Sequence, residues 1–108
     1  MESSAAIVSL AALAQASRLA VFRLLVQAGP AGLAATRIAE ALDIAPSSLS
    51  FHLKELAHAN LVTSTKAGRS IIYSADFAAM NGLLAFLTEN CCGGKPCAPA
   101  CGAGEGQP

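Results

Sequence analysis

Aromatic residues and net charge are both scarce in this sequence. Its 108 residues include no tryptophan, one tyrosine and four phenylalanines, while hydrophobic residues, chiefly alanine, make up 54% of the chain. A sandwich of sheets rich in aromatic and β-branched residues is therefore disfavoured, and packed helices are favoured. Seven basic residues balance seven acidic ones. Total charge thus does not indicate a nucleic-acid partner, and any such partner has to be inferred from local arrangement.

Long hydrophobic runs are also missing. The longest apolar run falls well short of the about 18 residues that a membrane-spanning helix needs. The first sixteen residues imitate a secretory signal, but their start carries Glu2 and no lysine or arginine, which is the wrong charge for one. We expect a cytoplasmic protein without a membrane partner, whose cysteines are reduced.

The length predicts one domain with a modest core, and the sequence pattern places its elements. Helical spacing of apolar residues covers residues 3–15, and Ser17 is a candidate cap for a second helix that Gly29 and Pro30 end. Two further helices are predicted over residues 35–42 and from Pro46 to Asn60. Residues 61–66 and 70–74 predict a β-hairpin, and residues 77–89 a last helix. The fold class is mainly α with a β-hairpin wing.

Cysteine is absent from the first 90 residues, and four cysteines then follow within the last nineteen. Glycines and prolines separate them, so this segment cannot build a core. We therefore divide the chain into a folded unit over residues 1–90 and a flexible cysteine-rich tail over residues 91–108. The cysteines of this tail are Cys91, Cys92, Cys97 and Cys101.

Several short motifs, in this order and spacing, resemble the winged helix-turn-helix of the ArsR/SmtB family of metal-responsive bacterial repressors. They read ASRLAVFRLL in the second helix, IAEALDI and SSLSFHLKEL in the helix-turn-helix, and ANLV and GRSIIYS around the wing. The resemblance covers roughly residues 10 to 88. It implies a transcriptional repressor that binds double-stranded operator DNA.

The fourth helix and the wing carry the expected DNA contacts. If Leu49, Leu53 and Leu56 face the core, the polar side chains of this helix face outward, where hydroxyl groups near a helix start can reach base edges and phosphates. His52 matches a histidine common in the family and is expected to orient its neighbours or to lie at the edge of the core rather than to bind metal. Two basic residues flank the wing turn and are placed for a phosphate strand or the minor groove. The predicted DNA-binding residues are Ser47, Ser48, Ser50, Phe51, His52, Lys54, Lys66 and Arg69.

A second copy of the chain is the expected protein partner. The apolar faces of the first and last helices exceed what so small a core can absorb, and in the resembled family these two helices form the dimer interface. A homodimer of this kind sets two recognition helices about one DNA turn, or 34 Å, apart.

The inducer has to be inferred from the sulfur atoms, because the metal ligands of other family members are missing. The third helix, RIAEALDI, lacks the Cys-x-Cys pair of many arsenic sensors, and Asp76 and Glu89 alone cannot form the zinc site of other relatives. Thiolates without nearby histidine favour soft ions. We expect arsenite or antimonite to bind Cys91, Cys92 and either Cys97 or Cys101. A methylated trivalent arsenical needs only two sulfurs.

Other interpretations of the tail remain open at this point. Four sulfurs could form a zinc, cadmium or lead site, although paired C-x-x-C spacing is missing. Vicinal cysteines could act as a redox switch, the tail could be inert, or the protein could be a metal-buffering carrier. No order of serine, histidine and carboxylate indicates catalysis, so an enzyme is not expected.

Overall fold

Five α-helices and a small antiparallel sheet form the protein in a computed structural model that describes residues 1–94. Their order along the chain is α1 (Ser3–Leu13), α2 (Ala16–Ala28), β1 (Leu33–Ala34), α3 (Ala35–Leu42), α4 (Pro46–His58), β2 (Val62–Ala67), β3 (Ser70–Ala75) and α5 (Phe77–Leu87). A single 3₁₀ turn, Cys91–Gly94, follows α5. The helix pair α3–α4 followed by the hairpin β2–β3 is a winged helix-turn-helix, which confirms the expected fold class.

The boundary between the first two helices differs from the prediction. Helix α1 ends at Leu13, and the residue that caps α2 is Gln15, whose side chain accepts a hydrogen bond from the Arg18 backbone N–H at 2.8 Å. Ser17, predicted as the cap, lies inside α2. Arg18 Nε also donates to the carbonyl oxygen of Ala12 at 2.7 Å. These two contacts fix a sharp turn that local propensity alone does not indicate.

The helix-turn-helix forms as predicted. Helix α3 spans residues 35–42 and ends at Asp43, which adopts the left-handed conformation with φ 53°. Pro46 is the first residue of α4, where its missing N–H would have no partner inside the helix. The chain turns again at Asn60, which has a φ of 61°. The two sharp turns set the length and the direction of α4.

The core lies between α2, α3, α4 and the base of the wing. Leu49, Leu53 and Leu56 are 2%, 2% and 0% exposed, so the predicted inner face of α4 is confirmed. They belong to one cluster of buried side chains, whose other members are Val21, Phe22, Leu25, Ile38, Ala59, Leu61, Val62 and Ala75. At about 25 cal/mol for each Å² of apolar surface removed from water, this cluster is the main stabilising element of the fold.

The wing hairpin is joined by a third strand that the sequence pattern did not predict. Strand β1 has two residues, too few for a period-two pattern, and it pairs with β3 through Leu33 opposite Tyr73 and Ala34 opposite Ile72. Gly32, with a φ of 71°, precedes it, and a Cβ at this position would overlap the Tyr73 carbonyl oxygen. Glycine therefore allows the close approach that joins the start of α3 to the wing.

Helices α1 and α5 leave apolar side chains uncovered in the single chain. On α1 the buried residues are Ala6 and Ser9, while Ile7 and Leu10 are 64% and 42% exposed. On α5 only Leu83 is buried, and Leu84 and Leu87 are more than half exposed. Within residues 1–94 no individual helix has the length and apolar character to cross a membrane; α1 and α2 reach that length only as a pair bent by 102°.

Candidate nucleic-acid interface and thiol site

The outer face of α4 carries the predicted recognition residues. Because the three leucines point into the core, Ser47, Ser48, Ser50 and Lys54 are exposed on the opposite side. The serines occupy the first turns of the helix, the end that enters the major groove in helix-turn-helix proteins. This face thus offers short hydroxyl groups and one cation to DNA.

Phe51 and His52 are arranged differently from the serines. Phe51 is 56% exposed, although it is a large apolar residue. His52 is half-buried, and its ring meets Phe51 edge-on with 5.8 Å between the ring centroids. The Nδ1 atom of His52 is buried and has no hydrogen-bond partner among the described residues. His52 therefore lies where α4 meets the core, beside an aromatic ring that faces solvent.

The wing places two cations at its tip. Lys66 lies near the end of β2 and Arg69 lies in the turn that follows Gly68, and both side chains are exposed. Within residues 1–94, neither of them, nor Lys54, forms an ion pair. Because these cations form no ion pair with a carboxylate of the chain, they can contact phosphate without first breaking one.

Thr36 also lies on this surface, although it was not among the predicted residues. It is exposed in the first turn of α3, between α4 and the wing. No sequence signal marks it, because its approach to the wing depends on the two-residue strand β1.

The first two cysteines lie in the turn that follows α5. Thr88 ends the helix, with its Oγ1 donating to the Leu84 carbonyl oxygen at 2.8 Å, and the Cys91 N–H donates to the Thr88 carbonyl oxygen at 2.9 Å. The backbone then adopts positive φ at Asn90 and at Cys92. Adjacent side chains on an intact helix diverge by about 100°. Here the change of direction brings Cys91 Sγ and Cys92 Sγ to 3.7 Å from each other.

The chemical state and neighbours of these sulfurs limit what they can bind. Cys91 is exposed, and a metalloid binds cysteine as the thiolate, so both sulfurs have to be reduced before they can act together as ligands. Within residues 1–94 no group of three or more His, Cys, Asp or Glu side chains could hold a metal ion. The other two predicted ligands, Cys97 and Cys101, and all of the predicted tail beyond residue 94, lie outside the described residues.

The carboxylate of Asp76 has a structural task in this fold. Its Oδ1 accepts the Ala79 backbone N–H at 3.0 Å and caps α5. A side-chain cap of this kind contributes about 1 kcal/mol to helix stability.

Comparison with known proteins gave a family match and a set of similar structures. Residues 13–65 match the model of a helix-turn-helix domain. A search of curated protein sequences gave no match. Among solved structures, the ArsR-like transcriptional regulator from Rhodococcus sp. RHA1 is 30% identical, with a TM-score of 0.69, over 78% of this chain and 76% of that one.

Two other solved structures are similar over most of the chain. HlyU from Vibrio cholerae N16961 is 25% identical with a TM-score of 0.66, over 85% of this chain and 99% of that one. The AntR antimony-specific transcriptional repressor is 27% identical with a TM-score of 0.60, over 75% of this chain and 72% of that one.

Proposed function

The chain belongs to the ArsR family of transcriptional regulators, and we propose that it is a homodimeric repressor which trivalent arsenic or antimony releases from its operator. In this proposal the inducer binds cysteine thiolates that follow α5. The observation that carries it is the pair Cys91 and Cys92, whose sulfurs lie 3.7 Å apart directly beyond a helix with an exposed apolar face.

Operator binding is assigned to α4 and the wing. The serines and Lys54 face the major groove, and Lys66 and Arg69 contact the phosphates or the minor groove that flanks it. Phe51 contacts a thymine methyl group, which gives a reason for an exposed aromatic ring on this face. His52 holds Phe51 in place through the edge-on ring contact. A DNA-bound regulator of this kind acts in the cytoplasm.

Dimerisation is assigned to α1 and α5. Both helices leave branched apolar side chains more than half exposed, among them Ile7, Leu84 and Leu87. Exposed apolar patches of this kind mark interaction surfaces. A two-fold pairing of these faces covers the side chains and brings two copies of α4 to the successive half-sites of a palindromic operator.

The nature of the inducer follows from the ligand atoms. Thiolates without histidine bind soft, thiophilic ions, and trivalent arsenic and antimony take three sulfurs in a pyramid. Cys91 and Cys92 supply two of these sulfurs, and Cys97 or Cys101 supplies the third. A methylated trivalent arsenical needs only the first two. The similarity to an antimony-specific repressor supports this class of inducer.

Release from DNA follows from the position of the cysteines. The Cys91 N–H is bonded to Thr88, and Thr88 Oγ1 to the carbonyl of Leu84 on the proposed dimer face. Closing a ring of three sulfurs around a metalloid reorganises this end of α5 and changes the spacing of the two recognition helices. A coupling of about 1 to 3 kcal/mol, or 5- to 150-fold, is enough to derepress.

The experiment uses reduced full-length protein and an operator selected from a pool of random duplexes. Fluorescence anisotropy follows DNA binding while arsenite, antimonite, a methylated trivalent arsenical, zinc and cadmium are titrated in parallel. Release by the trivalent species alone is expected. Release by zinc or cadmium would assign a divalent four-sulfur site instead, and release only by an oxidant would assign a redox switch.

Binding of a metalloid without any change in DNA affinity would identify a carrier.

The matched variant is Cys91→Ser with Cys92→Ser, which keeps the size of both side chains and removes both thiolates. This variant is expected to bind the operator with wild-type affinity and to stay bound when arsenite is added. An operator complex of this variant that arsenite still dissociates would contradict the proposal.

A further inference from the structure

Two depressions lie side by side along α1, where this helix passes the last turns of α4. The first, of about 370 Å³, opens between α1, the start of α2 and α4, and the second, of about 340 Å³, continues it towards the start of α5. Val8, His58 and Ala59 line both depressions, which therefore form one groove. Each volume falls within the roughly 300 to 1,000 Å³ that is typical of small-molecule sites.

The groove is separate from the apolar face that is proposed for dimerisation. Ile7 and Leu84, which belong to that face, line neither depression. Val8 follows Ile7 directly, and successive side chains on a helix point about 100° apart. The groove therefore lies on the flank of α1 that faces α4, and pairing through Ile7 does not require this flank.

The start of α2 supplies a guanidinium group to the groove. Arg18 is half-buried, and its Nε donates to the Ala12 carbonyl oxygen at 2.7 Å, which holds the side chain in one place. Its two terminal nitrogens have no hydrogen-bond or ion-pair partner within residues 1–94. A guanidinium group with free terminal nitrogens can bind a carboxylate through two parallel hydrogen bonds.

Helix α4 supplies a carboxylate to the same depression. The Glu55 side chain is half-buried, and its carboxylate has no hydrogen-bond or ion-pair partner within residues 1–94. A carboxylate that is partly withdrawn from water is stabilised by a cation that comes close to it. The carbonyl oxygens at the end of α4 favour positive charge as well. This wall of the groove therefore suits an ammonium group.

The two charges select the chemical class of the ligand. Arg18 and Glu55 line one depression without forming an ion pair with each other, so a compact zwitterion can bind between them. An α-amino acid carries its carboxylate and its ammonium group on one carbon atom. The second depression is lined by no carboxylate, lysine or arginine side chain, and Val8, Ala59 and Ala79 give it apolar walls. It suits an uncharged, mainly apolar amino-acid side chain.

We propose that this groove binds a free α-amino acid with an apolar side chain, whose carboxylate pairs with Arg18 and whose ammonium group pairs with Glu55. The site goes beyond the proposed function, because its ligand is not a metalloid and it uses neither the cysteines nor the residues assigned to DNA. A ligand in the groove bridges α1 and the last turns of α4.

The first test is calorimetry on the reduced full-length protein with L-leucine, L-methionine and L-valine. At least one of them is expected to bind with a Kd between about 10 μM and 1 mM. At ten times its Kd, that amino acid should raise the melting temperature by about 3 to 8 °C. Two analogues of leucine, 4-methylpentanoate without the ammonium group and 3-methylbutylamine without the carboxylate, should each bind at least about 10-fold more weakly than leucine.

The second test removes the charge that is assigned to the ammonium group. Glu55→Gln keeps the size of the side chain and is expected to weaken amino-acid binding by about 10-fold or more, while the affinity for 4-methylpentanoate stays unchanged. Glu40→Gln, at an exposed position of α3, is the matched control and should bind as the wild type does.

A third variant fills the groove without changing any charge. Ala11 is exposed on α1 and lines the first depression, and leucine is a good helix former, so Ala11→Leu should fold normally and lose amino-acid binding. Ala57→Leu adds the same side chain at an exposed position of α4 that lines neither depression, and it should keep binding.

The absence of saturable binding by all three amino acids up to about 10 mM would overturn this inference. Analogues with a single charge that bound as tightly as leucine would overturn it too, and so would wild-type affinity in both Glu55→Gln and Ala11→Leu. None of these measurements uses DNA or a metalloid, so each of these results would leave the proposed function intact.

Discussion

Helices α4 and α5 have similar lengths, 13 and 11 residues, and opposite outer faces. Helix α4 buries three leucines and presents serines, a lysine and one aromatic ring, that of Phe51, to solvent. Helix α5 buries only Leu83 and presents Leu84 and Leu87. The inner face of each helix packs against the core, so the outer face indicates which partner the helix binds. A mainly polar face with an unpaired cation suits DNA, and an apolar face suits another protein surface.

The comparison also separates the two halves of the proposed switch. The helix proposed to contact DNA is anchored by three buried leucines, whereas the helix that leads to the cysteines is anchored by Leu83. A helix held weakly within its own chain can shift at low cost when a ligand reorganises its end. Four predictions follow from this difference, in order of decreasing effect.

Truncating the inner face of α4 should have the largest effect. Leu56 is 0% exposed, and Leu56→Ala is expected to lower the free energy of unfolding by about 2 to 5 kcal/mol through lost burial and a cavity. The measurement is urea denaturation followed by circular dichroism. Ser48→Ala, on the outer face of the same helix, is the control and should stay within about 0.5 kcal/mol of the wild type. Equal losses in the two variants would remove the distinction between the faces.

A charge on the outer face of α5 should come next. Leu84→Glu is expected to dissociate the dimer, because a carboxylate would have to be buried against apolar side chains. Sedimentation should show half the mass at micromolar concentration, and operator affinity should fall by about 100-fold as the second half-site is lost. Ala41→Glu, at an exposed position of α3, adds the same charge and should leave the mass unchanged. A Leu84→Glu protein that remains dimeric would place the interface elsewhere.

Removing the cation from the outer face of α4 should have a moderate effect. A dimer of Lys54→Ala loses two cations that are expected to contact phosphate. The slope of log affinity against log salt concentration should therefore become shallower by about 2. Anisotropy titrations at several salt concentrations measure this slope. Lys54→Arg keeps the charge and should keep the slope. An unaltered slope in Lys54→Ala would show that this lysine does not contact phosphate.

Replacing the exposed cysteine pair should have the smallest effect when no inducer is present. Because Cys91 and Cys92 are exposed, the double serine variant under reducing conditions should unfold within about 0.5 kcal/mol of the wild type. Its operator affinity should also be unchanged. Thermal unfolding and anisotropy check both points, and a large loss in either would give the pair a structural role instead.

Parts of the fold with strong local signals were predicted closely. Helix α4 was predicted from Pro46 and from the spacing of three leucines, signals that act within a few residues along the chain. It ends at His58, shortly before the predicted stop at Asn60. The predicted end of α1 and the predicted cap of α2 were wrong, because this boundary is set by contacts of Gln15 and Arg18 across the turn. The last helix was predicted to residue 89 but ends at Leu87, where the Thr88 hydroxyl bonds back to Leu84.

The candidate site was predictable to a similar degree. Exposure of the serines and Lys54 follows from helical periodicity once the leucines are assigned to the core. Cys91 Sγ and Cys92 Sγ converge because the backbone takes positive φ at Asn90 and Cys92, which the spacing of the cysteines does not indicate. Thr36 could not be predicted, because no periodic pattern links it to the wing.

The sequence by itself determined the helices, the hairpin, the inner face of α4 and the grouping of cysteines after the last helix. These features depend on side-chain type and on spacing over a few residues, and both can be read from the sequence. Only the tertiary structure decided that β1 joins the wing, that Thr36 lies between the wing and α4, and which apolar residues of α5 are buried. These features depend on which distant segments meet, and pairing between distant segments is set by the packing of the whole core.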